Sequence, residues 1–271
     1  MKKLNLFFSF LKICITTPGL VMKNIFHFTI NIVCKNYVVK KYNLPKGLQT
    51  IDLLDLFPQF EETIYNYTYL DGTSRITDIA LLKLLAKKYP DGRYMEFGTW
   101  RGESISNIAP LVREAYAASF SDEDMRKFGI PAHDIKASRF FTKGIAQINN
   151  IEHNTQTFDF TPYYKTCDMV FVDADHQYKG VSVDTRSAFK LLKNDSSIIV
   201  WHDYGLSYET PNWQVIRGIL DGAPDDEARK NIYHISNTLC AVYIKGGFKA
   251  GYPEKSVPNK KFTLTIKATK L

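Results

Sequence analysis

An α/β fold, with a mostly parallel sheet covered by helices on both faces, is the architecture this sequence predicts. Three observations predict it. Short apolar runs alternate with segments of helical apolar spacing between Arg75 and Trp201. The run Met169-Val170-Phe171-Val172 is continuously apolar between Asp168 and Asp173, as a strand buried on both faces must be. The last two strand candidates, 231–235 and 239–245, are joined only by Ser236-Asn237-Thr238. That link is too short for a crossover helix, so the two strands pair antiparallel.

Taken in order, residues 1–39 are apolar stretches punctuated by lysine. Residues 4–11 are mostly apolar, but Lys12, Pro18, Gly19 and Lys23 interrupt the next stretch. A membrane-spanning helix needs about 20 predominantly apolar residues. Lys2-Lys3 ahead of an apolar run resembles the start of a signal peptide, yet no small-x-small cleavage site comes after it. Two readings of this arm stay open: a lysine-rich amphipathic segment on an anionic membrane surface, or a helical extension packed on its own domain or a second subunit. Residues 48–57 read as a short connecting element stopped by Pro58, and Asp71-Gly72 marks a turn. Ile76, Ile79, Leu82 and Ala86 recur at helical spacing, and Tyr89-Pro90-Asp91-Gly92 ends that helix.

Residues 93–97 form a short strand. Ile105, Ile108, Ala109 and Val112 give the next helical stripe, shortened or kinked at Pro110. Residues 114–120 are a second strand, 140–149 a helix, and 151–158 contain a third strand. After the buried strand at 168–173 a helix carries Val181, Thr185, Ala188 and Leu192 on one side, and 197–201 is another buried strand. Trp213 and Arg217 lie on a further helix.

The chain of 271 residues can bury one sizeable core, and 45% apolar with 23% charged residues is ordinary for a folded domain. Its four cysteines lie far apart with no C-x-x-C pair, which indicates neither a structural zinc site nor a disulfide framework and fits a reducing cytoplasm. The net charge of +7 comes from the arm: eight lysines and no acidic residue precede Asp52, leaving 27 basic against 28 acidic side chains beyond it. A balanced body argues against a nucleic-acid-binding face.

Between the first strand and its helix stands Glu96-Phe97-Gly98-Thr99-Trp100-Arg101-Gly102. Glycine at such a turn lets the backbone leave the strand sharply and come close to a ligand. The dinucleotide fingerprint G-x-G-x-x-G is absent, because Trp100 stands where a second glycine is needed. Alone, this loop is equally a glycine turn of any α/β protein. Downstream come Asp173-Ala174-Asp175-His176-Gln177-Tyr178, then Asp184-Thr185, Phe189-Lys190-Leu191-Leu192-Lys193 and Trp201-His202-Asp203-Tyr204.

In that order, from 73 to 245, these motifs resemble the class I S-adenosylmethionine-dependent methyltransferases, most closely a bacterial branch with E-x-G-x-x-x-G, D-x-D-H-x-Y and W-H-D-Y signatures. The resemblance implies a Rossmann-like class I methyltransferase fold: a mostly parallel seven-stranded sheet with a closing antiparallel hairpin, plus a helical N-terminal extension. It divides the chain into an arm and connecting segment at 1–70, a methyltransferase domain at 71–246 and a C-terminal extension at 247–271. S-adenosylmethionine would be held by Glu96, Gly98, Thr99, Trp100, Gly102 and Asp173. Asp159 would stand at the adenine edge. The sequence departs from the family at the second strand, where Ala117-Ala118-Ser119-Phe120-Ser121 lacks the usual ribose-binding carboxylate; Ser119 or Asp122 is the substitute.

Parallel sheets place their chemistry at strand carboxyl ends. Asp173 ends one strand and His202-Asp203 its expected neighbour, so these side chains can converge, and two carboxylates with an imidazole suit Mg²⁺ or Mn²⁺. The resemblance extends to metal-dependent catechol O-methyltransferases, in which a lysine base stands three residues after the first aspartate; here that position is His176. Asp173, His202 and Asp203 are the expected ligands, with His176, His202 and Asp203 as catalytic residues. A metal-free His/Asp pair and a purely structural role remain the alternatives. Tyr178, Trp201 and Tyr204 are expected to shape the pocket, and His27, His133, His153 and His234 to be satisfied at the surface or in the core.

The implied activity is O-methylation of a sugar-containing or polyhydroxylated small molecule, in glycan modification or a natural-product pathway. The competing reading is a non-catalytic binding or scaffold protein with the same fold. Expected partners are a small-molecule or glycan acceptor, no nucleic acid, a membrane surface touched through residues 1–40, and a second copy of the chain. The expected location is cytoplasmic, extending to the inner face of the membrane.

Overall fold

The computed structural model describes residues 12–271, so Lys2-Lys3 and the apolar run at 4–11 lie outside the described residues. Helix α1 (Pro18–Tyr42) opens on a proline, whose missing N–H costs nothing in a first turn. It closes at Asn43, whose left-handed backbone lets its N–H reach the Val39 carbonyl, while Lys40 and Lys41 complement the negative end of the helix dipole. No helix among the described residues is long and apolar enough to cross a membrane.

Then come β1 (Thr50–Ile51), α2 (Leu53–Leu56), α3 (Ile76–Ala86), β2 (Arg93–Phe97), α4 (Glu103–Ile108) and β3 (Glu114–Ser119). Helices α5 (Asp122–Lys127) and α6 (Ala132–Ala137) precede β4 (Ile148–Glu152), β5 (Met169–Val172), α7 (Tyr178–Leu191) and β6 (Ile198–Trp201). A small hairpin of β7 (Gly205–Ser207) and β8 (Thr210–Pro211) leads into α8 (Trp213–Gly222) and α9 (Asp226–Lys230). The chain ends through β9 (Ile232–Ile235), β10 (Ala241–Tyr243) and β11 (Ala250–Gly251).

The main sheet has nine strands in the order β11-β1-β9-β10-β6-β5-β2-β3-β4. Its seven central and right-hand strands are the Rossmann-like arrangement expected: β2 to β6 are parallel, and β10 runs antiparallel to both β6 and β9. The count differs from seven because two short strands extend the edge. Thr50 pairs parallel opposite His234, and Gly251 pairs antiparallel opposite Thr50. One comes from the segment assigned to the arm and one from the C-terminal extension; two residues cannot show a periodicity.

Burial follows the pleat. Met95, Val170, Ile199 and Trp201 pack under α7 and α8 on one face, while Tyr94, Phe171, Val200 and Val242 meet α3 and α4 on the other. The predicted helix at 140–149 is absent. Arg139 (φ 55°) and Gly144 (φ 78°) are left-handed and cannot continue a right-handed helix, so this stretch is a series of turns. Helices α5 and α6 lie in the same crossover, and β4 begins three residues earlier than expected. Strand order reverses on either side of β2, which opens a crevice at the carboxyl ends of β2 and its neighbours.

Candidate active site

That crevice is a cavity of about 960 Å³, at the upper end of small-ligand sites. The glycine loop forms its floor. Gly98 has φ 93°, and a Cβ there would stand 2.2 Å from the Asp173 carbonyl oxygen, so only glycine lets the two strand ends meet. Gly102, at φ 87°, starts α4 and faces Thr142 rather than the cavity. Thr99 and Trp100 line the cavity; Glu96 does not.

Glu96 is 1% exposed and accepts hydrogen bonds from Tyr94 Oη, Thr99 Oγ1 and Ser104 Oγ, each at 2.8 Å. Burial pushes its carboxyl up to about 7, against the pull of those three hydroxyls. It braces the loop from behind. From the front, Arg101 donates to the Asp71 carbonyl at 3.0 Å and to Thr73 Oγ1 at 2.5 Å, which draws residues 70–73 over the loop as a wall.

At the end of β3, Ser119 and Phe120 line the cavity, whereas Asp122 turns away to pair with Arg139. The buried Arg139 guanidinium also donates to the Phe120 carbonyl at 2.7 Å. Of the two expected ribose contacts, therefore, only Ser119 faces the space. Asp159 is likewise displaced: it is exposed and accepts from Thr161 N at 3.0 Å, capping a short 3₁₀ turn. After β4 the wall is made instead by His153, Asn154, Thr155 and Gln156.

The acidic end of the cavity is built by the strand ends of β5 and β6. His202 Nε2 lies 3.1 Å from Asp78 Oδ2, while its Nδ1 lies 3.3 Å from Asp173 Oδ1 and 3.2 Å from Asp203 Oδ1. Burial disfavours the charged ring, but the carboxylates of Asp173, Asp203 and Asp78 outweigh it and hold the imidazole well above its ordinary pKa. His202, expected among the metal ligands, thus bridges three carboxylates through its two ring nitrogens.

The cluster geometry places His176 with the aspartates instead. Asp173, His176 and Asp203 each offer a ligand atom within 4.8 Å of the others. His176 Nδ1 lies 2.5 Å from Asp203 Oδ2, and this contact lifts the imidazole to about 9. Asp203 is held below the usual carboxylate range by its two histidines, despite its burial. Its left-handed backbone (φ 54°) is uncommon for a non-glycine residue and lets one side chain face both rings.

Asp78, which the sequence signals only as an acidic residue in a first helical turn, is fully buried. Oδ1 accepts from Leu239 N, and Oδ2 from Arg75 N, each at 2.8 Å, so one carboxylate ties α3 to the β9–β10 turn and to His202. The wall residues Tyr67, Tyr69 and Arg75 were also missed; only the Asp71-Gly72 turn announced that segment. Trp201 and Tyr204 prove to be core rather than pocket: Trp201 Nε1 donates to Thr185 at 2.9 Å, and Tyr204 stacks on His234. Tyr178 clasps the Arg217 guanidinium at 4.0 Å. His234 is buried and satisfied as expected, His133 is exposed, and His153 lines the cavity.

Among curated proteins none matches. Solved structures similar to this chain include the O-methyltransferase TomG from Streptomyces achromogenes in complex with S-adenosylmethionine (17% identity, 65% of this chain and 83% of that one, TM-score 0.42). Another is an O-methyltransferase from Bacillus cereus in complex with S-adenosylhomocysteine (16% identity, 65% and 84%, TM-score 0.43). A third is the YcgJ protein from Bacillus subtilis (14% identity, TM-score 0.36), where 47% of this chain spans half of that one. Residues 95–204, which run from β2 and the glycine loop to the cluster of Asp173, His176, His202 and Asp203, match the family described as a methyltransferase domain.

Proposed function

We propose that this chain is an S-adenosylmethionine-dependent methyltransferase acting on the oxygen of a sugar-containing or polyhydroxylated small molecule. The observation that carries this reading is the His176–Asp203 pair, at 2.5 Å, on the rim of the cavity that the glycine loop floors. The residues fit the cofactor: Gly98 brings bare backbone to the floor, Thr99 and Ser119 present hydroxyls, and Asp173 presents a carboxylate to a cationic group. When bound, the cofactor supplies a methyl on a cationic sulfur, which leaves neutral with the carbon–sulfur electron pair as the acceptor oxygen bonds the methyl carbon.

The chain's own residues do the rest. Asp203 holds His176 Nδ1, and the deprotonated ring takes the proton of an acceptor hydroxyl at Nε2; with its pKa lifted to about 9, this base form grows as pH rises. His202, bridging three carboxylates, fixes Asp173 and Asp203 in place and, with His176, holds the Asp203 carboxyl below the usual carboxylate range. A divalent cation is a second way to use the same atoms: Asp173, His176 and Asp203 would hold Mg²⁺ or Mn²⁺ and acidify a bound hydroxyl.

Exposed Met22, Ile25, Phe26, Ile32 and Val33 on α1, in a lysine-bearing arm, support peripheral membrane contact as a partner of this activity. Titration calorimetry with S-adenosylmethionine, with and without Mn²⁺, tests the reading. Saturable cofactor binding is expected, and its absence sinks the methyltransferase assignment in favour of a non-catalytic protein with this fold.

A further inference from the structure

Helix α1 carries two apolar faces, and its own domain covers only one of them. Ile30, Cys34, Tyr37, Val38 and Tyr42 turn inward and pack with the core. On the other side Met22, Ile25, Phe26, Ile32 and Val33 are 42–65% exposed. Their spacings of three, four and seven residues put them on one stripe of a 3.6-residue helix, and Asn36 and Lys40 continue it.

Phe28 borders this stripe, three residues after Ile25 and four before Ile32, and is 69% exposed. It also lines a second cavity, of about 480 Å³, together with Leu206 of β7, which is 59% exposed. Ala174, Asp175 and His176 line that cavity too, and the same three residues line the large one. Apolar side chains therefore lead from the outer stripe of α1, over Phe28 and Leu206, to the rim where His176 stands.

Charge decides what covers the stripe. Eight lysines and no acidic residue precede Asp52, and Lys12, Lys35, Lys40 and Lys46 are exposed. A second copy of the arm brings lysine toward lysine, whereas an anionic lipid surface complements the lysines and takes up the apolar stripe as well. Lys35 Nζ lies over the Trp213 ring at 5.5 Å, between the cavity-lining Asn212 and Gln214, which sets a cation beside the crevice where lipid phosphates would stand. At 25 residues α1 is about 37 Å long. It is not apolar enough to cross a bilayer, so its contact with one runs along the surface.

We infer that α1 lays its outer stripe on an anionic bilayer with the Phe28–Leu206 rim at the lipid surface, so that His176 receives an acceptor carried in the membrane. The acceptor is then an amphiphile, a hydroxylated head group on an apolar tail, rather than a free solute. Its class rests on the methyl-transfer reading and deepens it; the orientation of the chain on the bilayer rests on the surface of α1 and the rim alone.

Co-sedimentation of the full chain with vesicles of phosphatidylcholine alone, and of equimolar phosphatidylcholine and phosphatidylglycerol, measures the docking. Partitioning onto the anionic vesicles should be at least about tenfold stronger. It should fall at least about tenfold in Ile25→Ser/Phe26→Ser, and as far in Lys35→Glu/Lys40→Glu. Both pairs are exposed, and should one fail to fold by thermal melting, the other decides. A nitrobenzoxadiazole label on Leu206→Cys, in a Cys14→Ser background that leaves only buried cysteines, reports the rim. Its emission should shift to the blue on anionic vesicles. A label on Asp91→Cys, exposed just before β2 at the amino ends of the strands, should not shift. Equal partitioning onto the two vesicles, or unchanged partitioning in the variants, overturns the docking. Self-association by light scattering that the same variants abolish, without vesicle binding, assigns the stripe to a second copy and overturns it too. A rim label that stays in water on bound vesicles overturns delivery of the acceptor from the membrane. Calorimetry with S-adenosylmethionine on the same samples separates the two readings. Cofactor binding without vesicle binding removes only this inference, whereas vesicle binding without cofactor binding removes the methyl-transfer reading beneath it.

Discussion

Asp184, on the inner side of α7, is the sharpest stability probe. It is completely buried, and neither carboxylate oxygen has a hydrogen-bond partner among the described residues. Burial pushes its carboxyl from an ordinary 3.8 up to about 7. The folded chain therefore keeps a proton that the unfolded chain releases. Below about pH 4 both states are protonated, and the group contributes no pH-dependent difference. As pH rises toward 7 the unfolded state alone ionises, and native stability falls by about 1.4 kcal/mol per pH unit. From the two pKa values the loss reaches about 4 kcal/mol above pH 7, where both states are ionised and the slope ends. Asp184→Asn keeps the shape and cannot ionise. Urea unfolding of both proteins across pH 4 to 8 reads the result. The variant should gain on the native sequence with rising pH and level off near pH 7. A stability difference that stays constant over that range refutes the argument.

Three other perturbations probe the site. Gly98→Ala places a Cβ 2.2 Å from the Asp173 carbonyl at a left-handed backbone, which costs about 2–4 kcal/mol in conformation and overpacking; calorimetry should show cofactor binding lost, and unchanged affinity would contradict the close approach. His176→Asn should lower turnover by about 100-fold or more while leaving cofactor affinity intact, because it removes the proton acceptor and nothing in the floor. Arg217→Ala breaks a guanidinium sandwiched 4.1 Å from Tyr37 and 4.0 Å from Tyr178. A loss of about 1–2 kcal/mol in chemical denaturation is expected, and a change below about 0.3 kcal/mol would show that the stack is ornamental.

The sheet was legible because a buried parallel strand writes itself as an uninterrupted apolar run, and Met169–Val172 and Ile198–Trp201 are such runs. The antiparallel closure was legible from a three-residue link. The features that escaped were set by single backbone positions: Arg139 turns left-handed just before, and Gly144 within, a stretch whose side chains suit a helix. At the site, the residues carried over from the family motif fell into two groups. Those fixed to strand ends, Gly98, Thr99, Asp173, His176 and Asp203, meet around one cavity. Those assigned to loops did not: Asp122 found Arg139, and Asp159 found Thr161, because an exposed carboxylate takes whichever donor the local turn supplies.

The roles of the two histidines depend on their carboxylate partners, which no local motif reveals. His202 and His176 both come just after a strand end and both sit beside Asp203. The difference between them is Asp78, delivered from α3 over a distance of 124 residues in sequence. With Asp78 on Nε2, His202 has no open nitrogen, and its charge becomes part of the scaffold. Among the described residues His176 forms an ion pair only with Asp203, and it is the more exposed ring, at 58% against 9%. An acid–base residue must reach the reacting proton, whereas a positioning residue must not be able to leave. By that criterion one carboxylate from outside the motif favours His176 over His202 for the proposed proton-accepting role.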